Sequence, residues 1–182
     1  MAVGSVPGGR GDGVPVTSLI DLEPGTQPLH YFAGPATTLL LANSGGYGLL
    51  AQAGDMHGRN KGGKAFLSLD DGEQLLPPRI VLPAHRQVGC LSADGRLLVF
   101  PLDELKRQPN GGRGLTLMDV DAKVPLLSVA PFIDQLTVQG TGRSAKPKEE
   151  VIKGLTLAGH QGKRARKGRK VEGLLKVLRL LA

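Results

Sequence analysis

The sequence predicts an all-β protein, a propeller-like array of four-stranded hairpin blades that is partial, with about three to four blades present. Three observations predict it. Gly 27 and Pro 13 among 182 residues punctuate the chain densely, which favours many short elements joined by turns. A pattern of strand, turn, strand, polar loop, strand, turn, strand is written twice, and its double glycines Gly62–Gly63 and Gly111–Gly112 stand 49 residues apart, from 62 to 111. Paired leucines at Leu75–Leu76, Leu126–Leu127 and Leu174–Leu175 mark one recurring strand in three successive units. Repeats of roughly 20–50 residues identify stacked arrays, because one unit cannot bury its own apolar face and must share a core with its neighbours.

The elements follow in order. Residues 1–13, MAVGSVPGGRGDG, read as a flexible N-terminal segment, and a single domain is expected over 14–182. Residues 14–33 read as the second half of a unit whose first half is missing, hence the end of a preceding blade, as if the chain were cut from something longer. The blade at 37–82 opens on TLLLANSGGYGLLAQAGD, where the unbroken TLLLA implies a strand covered on both faces and Ser44–Gly46 supplies the turn. It continues through the loop RNKGGKAF into LSLDDGEQLLPPRIV. The blade at 86–132 opens on QVGCLSADGRLLVFPLDE, where Asp94–Gly95 reads as a two-residue hairpin turn with positive φ at both central residues. It continues through QPNGGRGL into TLMDVDAKVPLLSVAPF. A degenerate last blade at 134–182 begins QLTVQGTGRSAK, passes a longer loop and ends VEGLLKVLRLLA. By periodicity alone Leu174, Leu175, Leu178 and Leu181 fit a helix face. Register with DAKVPLLSVAP favours a closing strand instead.

Charge points to the ligand class. Lys+Arg 23 against Asp+Glu 16 leaves a net +7, suited to a polyanion. The cations crowd the loops: Arg59, Lys61 and Lys64 beside Gly62 and Gly63, then Lys106, Arg107 and Arg113 beside Gly111, Gly112 and Gly114. Arg143 follows, and then KRARKGRK with Lys163, Arg164, Arg166, Lys167, Arg169 and Lys170, read as a rim loop because an apolar strand comes after it. Glycine lets backbone N–H groups approach an oxygen closely, and an adjacent Lys or Arg neutralises a phosphate. Such loops at successive blades would place several phosphate-sized sites along one edge, which suits a continuous duplex. The competing reading is that the glycines only make turns and the cations only face solvent. Aromatics are 3%, Tyr31, Tyr47 and four Phe, too few for the stacking platforms of a single-strand binder. No recognition helix is expected, so sequence specificity should be low.

The stretch LLLANSGGYGLL, followed by RNKGGKAFLSL and LLPPRIV, resembles the C-terminal domain of the A subunit of bacterial DNA topoisomerase IV, itself similar to that of gyrase A. The resemblance runs from about Val14 onward and is weakest after Gly142. It implies a β-pinwheel that binds and bends duplex DNA along a basic rim, steering it for a catalytic core elsewhere in the A subunit. The implied partners are duplex DNA, the ATPase B subunit, and the rest of the A subunit. The domain itself is expected to use no cofactor, with Mg2+ and ATP serving the parent enzyme, ATP through the partner subunit. The gyrase-type loop has a glutamine, basic residues, two glycines, another basic residue and a last glycine. QPNGGRG keeps Gln108, Gly111, Gly112, Arg113 and Gly114 but has Pro109 and Asn110 where cations would stand, and the earlier loop lacks the glutamine. Bending rather than tight chiral wrapping is the expectation.

Other motifs carry little. The family's strand-passing tyrosine has no counterpart, since Tyr47 belongs to a hairpin turn, so no cleavage activity is expected of this chain alone. The four histidines lack metal-ligand spacing, Cys90 sits in an apolar stretch, and RGD at Arg10–Asp12 follows no secretion signal. A cytoplasmic, nucleoid-associated bacterial protein that contacts no membrane is expected, with a role in chromosome segregation. The alternatives are a basic all-β RNA- or ribosome-associated protein and a protein-interaction propeller.

Overall fold

The structure, a computed structural model, describes residue 4 and residues 6–58 and 61–182. Arg59 lies outside the described residues. β1 (Thr38–Ala42) and β2 (Tyr47–Gln52) form an antiparallel hairpin. Leu39 and Leu41 pack to one side with Leu49, Ala51 and Phe66, while Leu40 and Ala42 enter the core shared with the next sheet. TLLLA is apolar throughout because both of its faces are covered. β3 (Arg79–Val81) pairs along β1.

β4 (Gln87–Ser92) and β5 (Arg96–Pro101) repeat the hairpin. Val88, Cys90, Leu98 and Phe100 face the first sheet, and Leu91, Leu97 and Val99 face the third. All seven are 2% exposed or less, and each fully buried side chain of this size contributes roughly 1.5–3 kcal/mol. The turn between these strands corrects the expected two-residue type. Of its residues only Gly95 has positive φ, 82°, and its N–H donates to Ser92 O at 3.0 Å. Ala93–Gly95 is a three-residue connection closed by a left-handed glycine. Asp94 takes an ordinary conformation in which its carboxylate accepts from Ser92 Oγ at 2.5 Å and Arg96 Nε at 2.9 Å.

β6 (Leu115–Thr116) and β7 (Leu126–Phe132) come from the same stretch of chain but enter different sheets. The last unit supplies β8 (Gln135–Thr141), β9 (Pro147–Lys153), helix α1 (Gly154–His160), β10 (Arg169–Lys170) and β11 (Lys176–Leu181). The expected closing strand is present as β11, and the longer loop contains α1. Leu76 N–H donates to Ala42 O and Leu175 N–H to Thr141 O, while Leu126 pairs with Ser92, so the three double leucines all lie beside the first strand of their hairpins.

The sheets run β3-β1-β2-β6, β10-β5-β4-β7 and β11-β8-β9. The outer strand of each four-stranded sheet is therefore donated by the following unit, β6 to β2 and β10 to β5. The sequence repeat reads as self-contained hairpin blades, whereas in space each unit clasps the one before it. Donation is favourable because Leu117 and Met118, just after β6, become fully buried between the first two sheets. At the inner edge Arg79 donates from Nε to Val129 O at 3.1 Å and from Nη2 to Leu180 O at 3.3 Å, linking all three sheets.

Candidate nucleic-acid interface

The clasping segments are the polar loops that carry the cations. In the second unit Gln108 N–H donates to Leu50 O at 2.8 Å, Leu115 and Thr116 pair with Gly48 and Tyr47, and Leu117 N–H donates to Gly46 O at 2.7 Å. In the third unit Gly162 N–H donates to Val99 O at 2.9 Å, Arg169 and Lys170 pair with Leu97 and Arg96, and Val171 N–H donates to Gly95 O at 2.9 Å. Gly112 O accepts from Ser68 N–H and Arg166 O from Asp119 N–H. These bonds match position for position; at the loop tip the two part by one residue, since Gly112 N–H donates to Phe66 O at 2.8 Å whereas Ala165 N–H donates to Leu117 O at 3.0 Å. By this register Gly111 corresponds to Ala165, Arg113 to Lys167 and Gly114 to Gly168. Gly111 and Ala165 both have positive φ, 71° and 62°.

The double glycine is thus not the recurring feature. A Cβ on Gly111 would lie 2.0 Å from Phe66 O, but nothing lies within 4 Å of one on Gly62 or Gly63. The second loop has a sheet to dock on. The first is met by the strandless segment before β1, through Asp21 N–H donating to Lys61 O at 3.1 Å.

The expected cations separate into two groups. Arg107 makes a bidentate pair with Asp55, at 2.9 and 2.5 Å, which holds the Asp55 carboxyl below its ordinary range and raises the guanidinium's own pKa. Arg113 pairs with Asp70 and, at 3.0 Å, with Glu73, and its guanidinium lies 4.1 Å from the centroid of the Tyr47 ring. Desolvation opposes its charge, but these carboxylates outweigh it and its pKa rises. Lys167 pairs with Asp121 at 2.8 Å, the equivalent contact one junction on. Arg164 is half-buried, donating from Nη1 to Thr116 O, and its backbone N–H donates to Glu104 Oε2 at 3.1 Å.

The second group is exposed: Lys61, Lys64, Lys106, Arg143, Lys163, Arg166, Arg169 and Lys170. Among the described residues none of these has a carboxylate within 4.0 Å. Lys64 Nζ sits 5.5 Å from the Phe66 ring centroid, and Arg143 lies in the β8–β9 turn rather than on a clasping loop. Phe66, Phe100 and Phe132 are buried, whereas Tyr31 and Phe32 are exposed on the strandless segment. Among the described residues there is no group of His, Cys, Asp and Glu suited to a metal, and no helix long and apolar enough to cross a membrane. Cys90 is fully buried, and burial pushes its thiol pKa up.

No family model matches the chain. The A subunit of DNA topoisomerase 4 from Neisseria gonorrhoeae is 36% identical over 95% of it, and the protein of that name from Salmonella typhimurium is 28% identical over 97%. Among solved structures, the C-terminal domain of E. coli ParC matches with a TM-score of 0.84 and 24% identity, covering 97% of this chain and 73% of that one. The chain belongs with the C-terminal domains of the topoisomerase IV A-subunit family. The C-terminal domain of DNA gyrase A matches with a TM-score of 0.67 and 16% identity, over 92% of this chain and 57% of that one. The fold is the β-pinwheel of these domains. The topoisomerase IV relatives are much longer, and the chain spans 23% and 24% of the two named here.

The stretches that carry the resemblance in sequence are LLLANSGGYGLL, RNKGGKAFLSL and LLPPRIV, with QPNGGRG a partial match to the gyrase-type loop, and KRARKGRK is not among them. Its equivalence to the second loop is hidden in the sequence because α1 lengthens the third unit and Ala165 stands where the other loop has glycine. The surviving signal is Lys167–Gly168, a cation before a positive-φ glycine, as in Arg113–Gly114.

Proposed function

We propose that this domain binds duplex DNA through its phosphate backbone, without sequence specificity, along the outer edge formed by the clasping loops, and bends it. The observation that carries the reading is the set of exposed, carboxylate-free cations on segments that recur at the outer strands of successive sheets. Backbone contact needs cations on a rigid curved edge and no aromatic platforms. It needs no recognition helix either, and the seven-residue α1 offers none. The domain has no catalytic role of its own and uses no cofactor. It serves the longer topoisomerase chain by presenting DNA to a core that, with Mg2+ and an ATP-using B subunit, performs strand passage in the bacterial cytoplasm.

Binding of labelled linear, relaxed and supercoiled duplex tests this directly, with structured RNA as competitor. If about 5–8 phosphates are neutralised, log K should fall with log salt at a slope of roughly −4.5 to −7. Energy transfer between dyes at the ends of a short duplex should rise on binding, because contacts on both sides of a bend offset the elastic cost. Affinity that is flat with salt, or stronger for structured RNA, would overturn the reading.

A further inference from the structure

We infer that the loop at 162–170 is the principal phosphate grip of this domain, through Lys163, Arg166, Arg169 and Lys170, and that the recognisable glycine loop at 108–114 is a structural clasp. The inference rests on the duplex-binding reading above and assigns its site. The two loops make matching backbone bonds to successive sheets at both their ends, so they can be compared position by position. Where the second loop has Pro109, Gly112, Leu115 and Thr116, the third has Lys163, Arg166, Arg169 and Lys170. These four are exposed and, among the described residues, have no carboxylate within 4.0 Å.

Among the described residues, only Lys106 of the second loop's three cations stays free of a carboxylate, and the two arginines are disarmed by their neighbours. Arg107 is held by Asp55, and Arg113 by Asp70, Glu73 and Tyr47, so a phosphate could take either cation only by displacing carboxylates already in contact. Lys167 makes the corresponding clasp in the third loop and Arg164 docks through Thr116 O, so these two cations are taken up by the docking itself. The other four, Lys163, Arg166, Arg169 and Lys170, are not needed for docking, since the second loop makes the shared backbone bonds with no cation at the matching positions. A surplus of unpaired charge on a loop held at both ends is what a polyanion contact requires.

The test compares two variants of this chain by fluorescence anisotropy on a labelled duplex across a salt series, with folding checked by thermal melting. Lys163→Gln, Arg166→Gln, Arg169→Gln and Lys170→Gln together should weaken binding roughly 30-fold or more and flatten the salt slope by about 3.6 units. Arg107→Gln with Arg113→Gln should lower the melting temperature and leave affinity within about threefold, because the lost cations carry no phosphate. If the quadruple variant folds poorly, Lys163→Gln with Arg166→Gln changes only exposed turn side chains and should flatten the slope by about 1.8 units. Equal or greater loss from the second-loop variant overturns this assignment while leaving duplex binding intact. A parent chain that fails to bind duplex overturns both.

Discussion

Gly114 and Gly168 hold the same position at successive sheet junctions. A Cβ on Gly114 would lie 2.2 Å from Gly48 O, and one on Gly168 would lie 2.6 Å from Leu97 O. Both have positive φ, 84° and 69°. Each lets a clasping strand press against the hairpin it completes. Gly114→Ala and Gly168→Ala should each cost about 2–4 kcal/mol, combining left-handed strain with backbone overlap. Gly62→Ala, with open space and ordinary φ, should be neutral or stabilise by up to about 1 kcal/mol. Chemical denaturation of the three variants measures this, and equal losses at all three would show that the first loop is packed like the others.

Ala165 carries a left-handed φ of 62° at the place where the second loop has Gly111. Ala165→Gly should therefore stabilise by roughly 0.5–1 kcal/mol, the relief of Cβ strain exceeding the entropy that glycine adds to the unfolded chain. The reverse change, Gly111→Ala, meets Phe66 O and should destabilise by about 2–4 kcal/mol. Opposite signs in urea midpoints are expected, and a loss at Ala165→Gly would contradict the strain.

Arg113 combines ion pairs to Asp70 and Glu73 with stacking on Tyr47. Lysine keeps the charge but loses the planar fork, so Arg113→Lys should melt between the parent and Arg113→Ala. A double-mutant cycle with Tyr47→Leu should be non-additive, since the two groups share one contact. Full rescue by lysine would reduce the site to a simple charge pair.

His160, at the end of α1, is 8% exposed, and its Nδ1 has no hydrogen-bond partner among the described residues. Burial is the main cause that pushes its pKa below 6.5, with the Arg169 charge acting in the same direction and the backbone of Leu97 and Arg169 and the Glu172 charge against it. The sign follows from linkage: below pH 6.5 the unfolded chain takes up a proton that the folded imidazole resists, so stability is lost as pH falls from 6.5 towards the lowered folded value. Melting temperatures between about pH 7.5 and 5 should fall more steeply for the parent than for His160→Gln. Parallel curves would remove His160 from the acid response.

Much of the architecture is legible because it is written locally. TLLLA, QVGCLS and RLLVFP are short apolar runs bounded by turn residues, and solvent exclusion makes each a covered strand. VLRLL becomes a strand rather than a helix because β8 offers it a ladder, with Leu180 opposite Val138. The Asp-Gly pair marks the place of the turn at Gly95 but not its type, since the carboxylate of Asp94 bonds to its own neighbours and the residue keeps an ordinary φ. The site is legible only as composition. Arg107 and Arg113 look as available in the sequence as Lys163 and Arg166, because their carboxylates stand 52 and 40 residues away along the chain.

By itself the sequence determined that this protein is an array of short strands with cations concentrated on its glycine-rich loops, because alternation, turn chemistry and charge are properties of neighbouring residues. Only the tertiary structure decided that each loop clasps the preceding sheet, that KRARKGRK is the counterpart of QPNGGRGL, and which cations stay unpaired. The physical reason is distance. A charge is neutralised by whatever lies within a few ångströms, and docking one unit on the last brings Asp55, Asp70, Glu73 and Asp121 to that range while leaving Lys163, Arg166, Arg169 and Lys170 facing solvent.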